Sequence, residues 1–237
     1  MNPLPNEGLY LTRKRKKWKF AHFDSYSNCF SFDRDGKPVL IKKQLKSYFS
    51  SAAGPSSGSR SGRQLVLELA AGNAQFSLEL ARRYPEKDFI AVDIKSDRLY
   101  TSAKKALEEG VKNIVFLRMH LNELKQIFEP RSVDEIWLTF PDPFPRERSA
   151  KHRLSHISFL QQYRKILKDT GFLKFKTDNR QLFLWSLEQF VAEKWHFQEL
   201  TFDLHESNLS DEYKIMTHYE QKFVAEGSPI NFCALAL

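Results

Sequence analysis

Short apolar runs alternate with amphipathic segments from residue 63 to residue 237. The runs at 65–69, 89–93, 113–118, 133–140 and 171–178 predict buried strands, and those at 197–204, 217–223 and 230–237 predict closing strands. Segments with helical spacing lie between them, at 75–84, 98–110, 121–129, 155–168 and 181–194. Because strands alternate with helices, the pattern predicts an α/β fold whose mostly parallel sheet has helices on both faces.

The first 62 residues differ from the rest of the chain. Residues 13–19, RKRKKWK, form a dense basic run, which predicts either a nucleic-acid-binding arm or a solvated tail. Residues 50–62 are rich in serine and glycine and have no hydrophobic periodicity, so they predict a flexible linker. We therefore divide the chain into a basic N-terminal extension with its linker, residues 1–62, and one domain, residues 63–237.

Composition narrows the class of partner. The 237 residues carry a net charge of +8, and 41% are hydrophobic, which is enough for a proper core. A basic, aromatic-rich chain favours a polyanion such as nucleic acid, although a merely basic protein would look the same. We expect a cytoplasmic protein without a membrane span, signal peptide or metal site, because long apolar runs are absent and the two cysteines lack metal-ligand spacing.

Four carboxylates, Glu68, Asp93, Asp142 and Asp178, lie at or just past the ends of predicted strands. Ligands of open parallel sheets bind outside the carboxyl ends of the strands, so these acids share one rim. Asp93 lies about 20 residues after Gly72, the spacing at which an acid takes ribose hydroxyls. Glu68 suits a cation better than a pyrophosphate, so S-adenosylmethionine fits both acids. Solvated strand ends are the alternative interpretation.

The segment FPDPFPRERSAKHRL, residues 140–154, surrounds one of these acids with prolines. Proline fixes φ and excludes both helix and strand interior, so Asp142 is held rigidly. Phe140 and Phe144 are candidates for stacking on a base. The cations that follow, Arg146, Arg148, Lys151 and Arg153, suit the phosphates beside a flipped-out base. A proline turn followed by a solvated basic face is the alternative.

The same segment is similar to the F-P-D-P-[WF]-P…K-x-R-L signature of the tRNA (guanine-N7-)-methyltransferase family. ELAAGNAQF (68–76) with AVDIK (91–95) resembles the family's cofactor half, and KTD (176–178) its A-T-D strand end. THYEQKF (217–223) resembles its T-x-[YF]-E-x-[KR]-F segment. The resemblance covers about residues 63–237. It implies a Rossmann-like class I methyltransferase fold with a mostly parallel, seven-stranded sheet, and an S-adenosylmethionine-dependent methyltransferase domain.

The resemblance also implies an activity and a role for each site residue. The activity is transfer of the methyl group of S-adenosylmethionine to N7 of a guanine in the tRNA variable loop. The implied cofactor residues are Glu68, Ala70, Gly72, Asp93 and His120; the catalytic residue is Asp142; and the substrate residues are Arg146, Asp178, Thr217 and Glu220. tRNA is the expected partner of a monomer or homodimer, and the basic run is expected to be an RNA-binding arm.

Two departures from the family pattern concern the cofactor side. Ala70 and Ala74 replace the outer glycines of E-x-G-x-G-x-G, and alanine costs about 1–2 kcal/mol if position 70 needs a positive φ. His120 stands where the family has an acid or asparagine, so its neutral imidazole would have to accept a hydrogen bond from the adenine amine. These departures motivate a second hypothesis, a tRNA-binding protein with weakened or lost methyl transfer.

A third hypothesis, methylation of an exocyclic amine, is disfavoured because that motif is typically [ND]-P-P-[YF]. One part of the implied site has no account in the sequence pattern. Thr217 and Glu220 are three residues apart on a predicted strand, so they would face opposite sides of the sheet.

Overall fold

The computed structural model describes residues 18–19, 21–32, 36–52 and 62–237, apart from the side chains of His218 and Tyr219. Most of the basic run, and with it most of the predicted RNA-binding arm, lies outside these residues. Residues 53–61 of the predicted linker lie outside them too. Among the described residues, no helix has the length and apolar content needed to cross a bilayer.

One sheet carries the fold. Its strands are β1 (Cys29–Ser31), β2 (Leu65–Leu69), β3 (Asp88–Asp93), β4 (Ile114–Arg118), β5 (Val133–Thr139), β6 (Leu167–Thr177), β7 (His196–Thr201) and β8 (Asn231–Ala236). They lie in the order β1-β4-β3-β2-β5-β6-β8-β7. All neighbours pair in parallel except β8, which is antiparallel to β6 and β7. The strand order reverses between β2 and β5, and ligands bind at such a switch point.

Helices cover both faces of the sheet. They are α1 (Pro38–Ala52), α2 (Gln75–Arg83), α3 (Ser96–Glu108), α4 (Leu124–Ile127), α5 (Ile157–Ile166), α6 (Arg180–Ala192) and α7 (His218–Ala225), with 3₁₀ turns at Leu121–Glu123 and Glu147–His152. One core lies beneath α1, α4, α5 and α6. The other lies beneath α2 and α3, with part of α7 packed against it. Because β2 and β3 are buried on both faces, they read as continuous apolar runs rather than alternating ones.

The predicted α/β fold with a mostly parallel sheet is confirmed, but the count of seven strands is one too few in the described chain. The additional strand is β1, which pairs Cys29 with Phe116 on β4. Three residues are too few to show a strand period, so this edge strand had no sequence signal. Helix α1 packs on the same core through Ile41, Leu45 and Phe49. Residues of the N-terminal extension thus contribute to the sheet and to the core.

The strand prediction for residues 217–223 is wrong, because the segment forms helix α7. The helix begins with a capping box. Thr217 Oγ1 accepts a hydrogen bond from the Glu220 backbone N–H at 3.1 Å, and Glu220 Oε2 accepts one from the Thr217 N–H at 3.3 Å. The T-x-x-E spacing that signals a capping box was present in the sequence.

Candidate active site at the carboxyl ends of the strands

A cavity of about 960 Å³ opens where β2 to β6 end. This volume is within the range of small-molecule and cofactor sites. Eight of the ten predicted site residues line it: Glu68, Ala70, Gly72, Asp93, His120, Asp142, Asp178 and Thr217. Arg146 and Glu220 do not line it. Residues from widely separated parts of the sequence therefore meet at the switch point of the sheet.

The loop after β2 alternates between left-handed and ordinary backbone. Ala70, Gly72 and Ala74 have φ of 55°, 57° and 55°. Asp93 holds this loop, because its carboxylate accepts hydrogen bonds from the backbone N–H groups of Gly72 and Lys95, each at 2.8 Å. The condition stated for position 70 is therefore met: alanine stands where the backbone needs a positive φ.

This strain predicts a stabilising substitution. We expect Ala70→Gly to raise the free energy of unfolding by about 0.5–1 kcal/mol. Glycine relieves the strain of the left-handed backbone, and this gain is larger than the cost of the extra conformational entropy that glycine gives the unfolded chain. Urea unfolding measures the difference. Ala71→Gly is the matched control, because Ala71 has no positive φ; it should lose about 0.4–1 kcal/mol. A lower stability for Ala70→Gly than for the wild type would contradict this assignment of strain.

Glu68, near the end of β2, forms part of the wall of the cavity. Its side chain is only 2% exposed. One carboxylate oxygen accepts from the backbone N–H and the hydroxyl of Ser77, at 3.1 and 2.5 Å, and the other accepts from the Thr139 hydroxyl at 2.5 Å. Burial raises the pKa of Glu68, although these hydrogen bonds oppose the shift. Its carboxylate ties β2, α2 and β5 together at the cavity wall.

The adenosine side of the predicted cofactor site combines an acid with an apolar surface. Burial raises the pKa of Asp93, while its two backbone hydrogen bonds and nearby cations lower it. Each of its oxygens accepts a single backbone hydrogen bond and keeps a further lone pair. The adjacent Ile94 is 54% exposed and lines the cavity together with Leu121.

His120 lines the cavity and caps a 3₁₀ turn, because its Nδ1 accepts a hydrogen bond from the Asn122 backbone N–H at 3.3 Å. A neutral imidazole that accepts at Nδ1 carries its proton on Nε2. Acceptance of a hydrogen bond from an adenine amine would therefore require the cap to open, and the role of His120 at the cofactor stays a prediction.

The proline-rich segment after β5 is strained on both sides of Asp142. Phe140 and Phe144 have φ of 49° and 42°, a region that bulky residues rarely occupy, and each precedes a proline. Asp142 itself is exposed, and no described residue forms an ion pair or hydrogen bond with it. Strain of this kind clusters at functional sites, where the surrounding structure imposes it. The segment therefore presents the Asp142 carboxylate to the cavity from a restrained backbone.

The basic residues after this segment separate into two groups. Arg146 is exposed just before the 3₁₀ turn, and Lys151 and His152 line the cavity. Arg153 points the other way. Its Nε and Nη2 donate to the carbonyl oxygens of Pro143 and Phe144, and its guanidinium lies over the Trp185 ring. The prediction that Arg153 belongs to a phosphate-facing group missed this inward contact.

A buried ion pair lies behind the part of the cavity wall that Thr217 forms. Thr217 lines the cavity, whereas Glu220 lies behind it and is 0% exposed. Glu220 Oε2 pairs with Lys176 Nζ at 2.8 Å, and Oε1 accepts from His205 Nε2 at 3.0 Å. Glu220 therefore reaches a ligand only through Thr217. The capping box brings Thr217 and Glu220 into contact with each other, whereas on a strand they would face opposite sides of the sheet.

Lys176 is the main residue of the site that sequence reasoning did not identify. It is 0% exposed, and besides Glu220 its ammonium donates to the carbonyl oxygens of Tyr213 and Ile215, at 3.0 and 2.8 Å. Burial lowers the pKa of Lys176, and the Glu220 carboxylate opposes that shift. On the neighbouring rim, burial raises the pKa of Asp178. The available signal was an apolar strand pattern, GFLKFKT, interrupted by two lysines, Lys174 and Lys176.

Comparisons by family model and by sequence both match this chain to methyltransferases. A family model described as "Putative methyltransferase" matches residues 62–233. The tRNA (guanine-N(7)-)-methyltransferase of Cytophaga hutchinsonii is 39% identical over 222 residues, covering 92% of this chain and 96% of that protein. The protein of the same name from Bacteroides thetaiotaomicron is 34% identical over 228 residues, covering 94% and 86%.

Solved structures support the fold alone, since their sequences are distant. The 16S rRNA methyltransferase KamB superposes with a TM-score of 0.58 at 13% identity, covering 80% of this chain and 92% of that one. An antibiotic-related methyltransferase gives 0.56 at 16%, covering 83% and 93%. The sequence relatives, which match over most of their length, show that the chain belongs to the tRNA (guanine-N7-)-methyltransferase family.

Proposed function

We propose that this protein transfers the methyl group of S-adenosylmethionine to N7 of a guanine in the variable loop of tRNA. The observation that carries the proposal is the Asp142 carboxylate, which sits on a restrained backbone, has no partner among the described residues, and faces the same cavity as Asp93 and the loop after β2. The tRNA (guanine-N(7)-)-methyltransferases of similar sequence support the substrate class.

The cavity fits S-adenosylmethionine. Asp93 retains lone pairs for the ribose hydroxyls, and the exposed side chain of Ile94 offers an apolar surface to the adenine. A Cβ added at Gly72 would meet nothing within 4 Å, so ligand atoms have room beside this turn of the backbone. When bound, the cofactor supplies a methyl group on a positively charged sulfur. Glu68 lines this part of the cavity and braces its wall through hydrogen bonds to Ser77 and Thr139.

Asp142 has two tasks in this chemistry. Guanine N7 carries an in-plane lone pair and no proton, so no general base is needed and correct positioning dominates. The Asp142 carboxylate can accept hydrogen bonds from guanine N1–H and the exocyclic amine, which orients the base. It also stabilises the positive charge that the purine acquires on methylation. Adenine lacks this pair of donors, so the same contact selects guanine.

The remaining residues hold the nucleotide around Asp142. The Thr217 hydroxyl accepts its capping hydrogen bond and still has a proton to donate to a ligand. Asp178 lies in the cavity wall beside it, and Arg146 is exposed on the side proposed to face the RNA backbone. Glu220 fixes Thr217 from behind and has no exposed surface of its own.

The alternative of a tRNA-binding protein without activity rested on Ala70 and Ala74. Both alanines adopt the left-handed backbone that the loop requires, so their presence does not prevent the loop from forming. No feature of the described site favours the alternative over the enzyme. Cytoplasmic localisation and a monomeric or homodimeric state remain expectations from the sequence.

The proposal is tested with tRNA that lacks modifications. We expect the purified protein and S-adenosylmethionine to produce 7-methylguanosine, identified by mass spectrometry of the nucleosides. Calorimetry with S-adenosylmethionine provides the control for cofactor binding. A folded protein that binds the cofactor but leaves guanine N7 unmodified would refute the proposal and favour the binding-only alternative.

A further inference from the structure

The segment of residues 141–145, which carries Asp142, has few backbone N–H groups with which to form hydrogen bonds. Pro141, Pro143 and Pro145 have no N–H group, so three of its five residues lack a backbone donor. The amino-terminal side is tied to the sheet by the Phe140 N–H, which donates to the Lys176 carbonyl at 2.8 Å. The carboxyl-terminal side has no such ladder bond among the described residues, and it includes the strained Phe144.

Arg153 supplies the missing donors. Its Nε lies 3.2 Å from the Pro143 carbonyl oxygen and 3.3 Å from that of Phe144, and its Nη2 lies 3.0 Å from the Phe144 oxygen. Every hydrogen bond that the described residues make to these two carbonyls comes from this guanidinium. A planar group with several donors is suited to bridging two adjacent carbonyls, which the single ammonium of lysine does less well.

The guanidinium is itself held in place by α6. It lies 4.4 Å from the centre of the Trp185 ring, a stacked cation–π arrangement. Two residues further on, the Ser155 hydroxyl contacts the Ser186 hydroxyl at 2.6 Å, which anchors the chain after Arg153 to the same helix. Helix α6 therefore holds the Arg153 guanidinium in place. Arg153 in turn holds the segment that carries Asp142.

We propose that Arg153 is a positioning residue for catalysis: by bridging the Pro143 and Phe144 carbonyls it holds the strained segment in the conformation that places Asp142 against the guanine. This inference rests on the proposed function. In this role the Arg153 guanidinium contacts the protein's own backbone and not RNA phosphates, although the residue lies within the basic stretch that otherwise indicates nucleic-acid binding. A displaced carboxylate lowers the rate of the chemical step more than the binding of either substrate.

The test compares Arg153→Met with Arg164→Met. Arg164, in the last turn of α5, makes the same kind of contact at the opposite edge of the sheet: its guanidinium lies 5.0 Å from the Trp195 ring centre and donates to the Glu193 carbonyl at 2.7 Å. Both variants lose one arginine, its contact with a tryptophan ring and its hydrogen bonds to backbone carbonyls, three for Arg153 and one for Arg164. Urea unfolding of both variants therefore measures how far general destabilisation differs between them.

We expect kcat of Arg153→Met to fall by about 10–100-fold, while KM for tRNA and the affinity for S-adenosylmethionine change by less than about threefold. Arg164→Met should keep the kcat of the wild type. In Arg153→Ala, millimolar guanidinium should restore part of kcat, and it should have no such effect on Arg164→Ala. A merely structural role would predict equal losses in both variants and no rescue.

Two outcomes would overturn the inference. A raised KM for tRNA with unchanged kcat and a reduced salt dependence would identify Arg153 as a phosphate contact. Unchanged kinetics would show that the segment holds its conformation unaided. Amide hydrogen exchange in residues 139–146 gives a readout independent of activity, since it should rise in Arg153→Met and not in Arg164→Met. If the wild type forms no 7-methylguanosine, the proposed function fails, and hydrogen exchange alone still decides the positioning role.

Discussion

Replacing Asp142 by asparagine should lower kcat for methyl transfer to tRNA by about 10²–10³-fold, which corresponds to the loss of about 2.7–4 kcal/mol of transition-state stabilisation. The structure gives the reason for so large an effect. Asp142 is exposed to the cavity, has no protein partner among the described residues, and lies between two aromatic residues with positive φ. The backbone around Asp142 is therefore restrained before a ligand arrives, and no described residue neutralises the charge of its carboxylate.

The measurement is single-turnover methyl transfer to unmodified tRNA, with calorimetry of S-adenosylmethionine binding on the same preparations. Cofactor affinity should be unchanged, because Asp142 is not among the residues proposed to hold it. Asp169→Asn is a matched control, since Asp169 is an exposed acid of β6 that pairs with Arg131 at the opposite edge of the sheet. Equal rates for the wild type and Asp142→Asn would remove Asp142 from the mechanism.

Replacing Lys176 by methionine should lower the free energy of unfolding by about 3–5 kcal/mol, because it leaves the buried charge of Glu220 with only the hydrogen bond from His205 and without its lysine partner. Both side chains are 0% exposed, and Lys176 also donates to two carbonyls of the segment that leads to Thr217. The loss should therefore extend to function. We expect KM for tRNA to rise as Thr217 becomes less well positioned.

Urea unfolding compares Lys176→Met with two further variants. In the double variant Lys176→Met, Glu220→Gln, removal of the unpaired charge should restore part of the stability. Lys104→Met removes an exposed pair with Glu108 on α3, and it should cost less than about 1 kcal/mol. A cost for Lys176→Met no larger than that for Lys104→Met would show that the buried pair contributes little.

Most of the fold was predictable because strands of a parallel sheet carry a local signal. β2 and β3 are continuous apolar runs, and the helices between strands show one apolar face each. The failures have separate causes. β1 is three residues long and is a strand only because it pairs with β4, so no pattern within it could reveal it. The strand prediction for α7 was wrong although the T-x-x-E spacing of its capping box was present in the sequence.

The candidate site was predictable to a similar extent. Acids at strand ends must meet at one edge of a parallel sheet, so the positions of Glu68, Asp93, Asp142 and Asp178 along the cavity follow from strand order. What each acid contacts did not follow. The Asp93 carboxylate accepts a hydrogen bond from the loop after β2, and the Glu68 carboxylate accepts from Ser77 on α2 and Thr139 on β5, whereas no described residue donates a hydrogen bond to Asp142.

The amino-acid sequence by itself determined the α/β architecture, the edge of the sheet at which the site lies, and the proline-held carboxylate, because each depends on neighbouring residues and on strand direction. Only the tertiary structure decided that Arg153 faces inward, that Lys176 and Glu220 form a buried pair, and that Ala70 is left-handed. These properties depend on which distant residues supply hydrogen bonds and burial. A charged side chain in the sequence carries no mark of whether water or another part of the fold will be its partner.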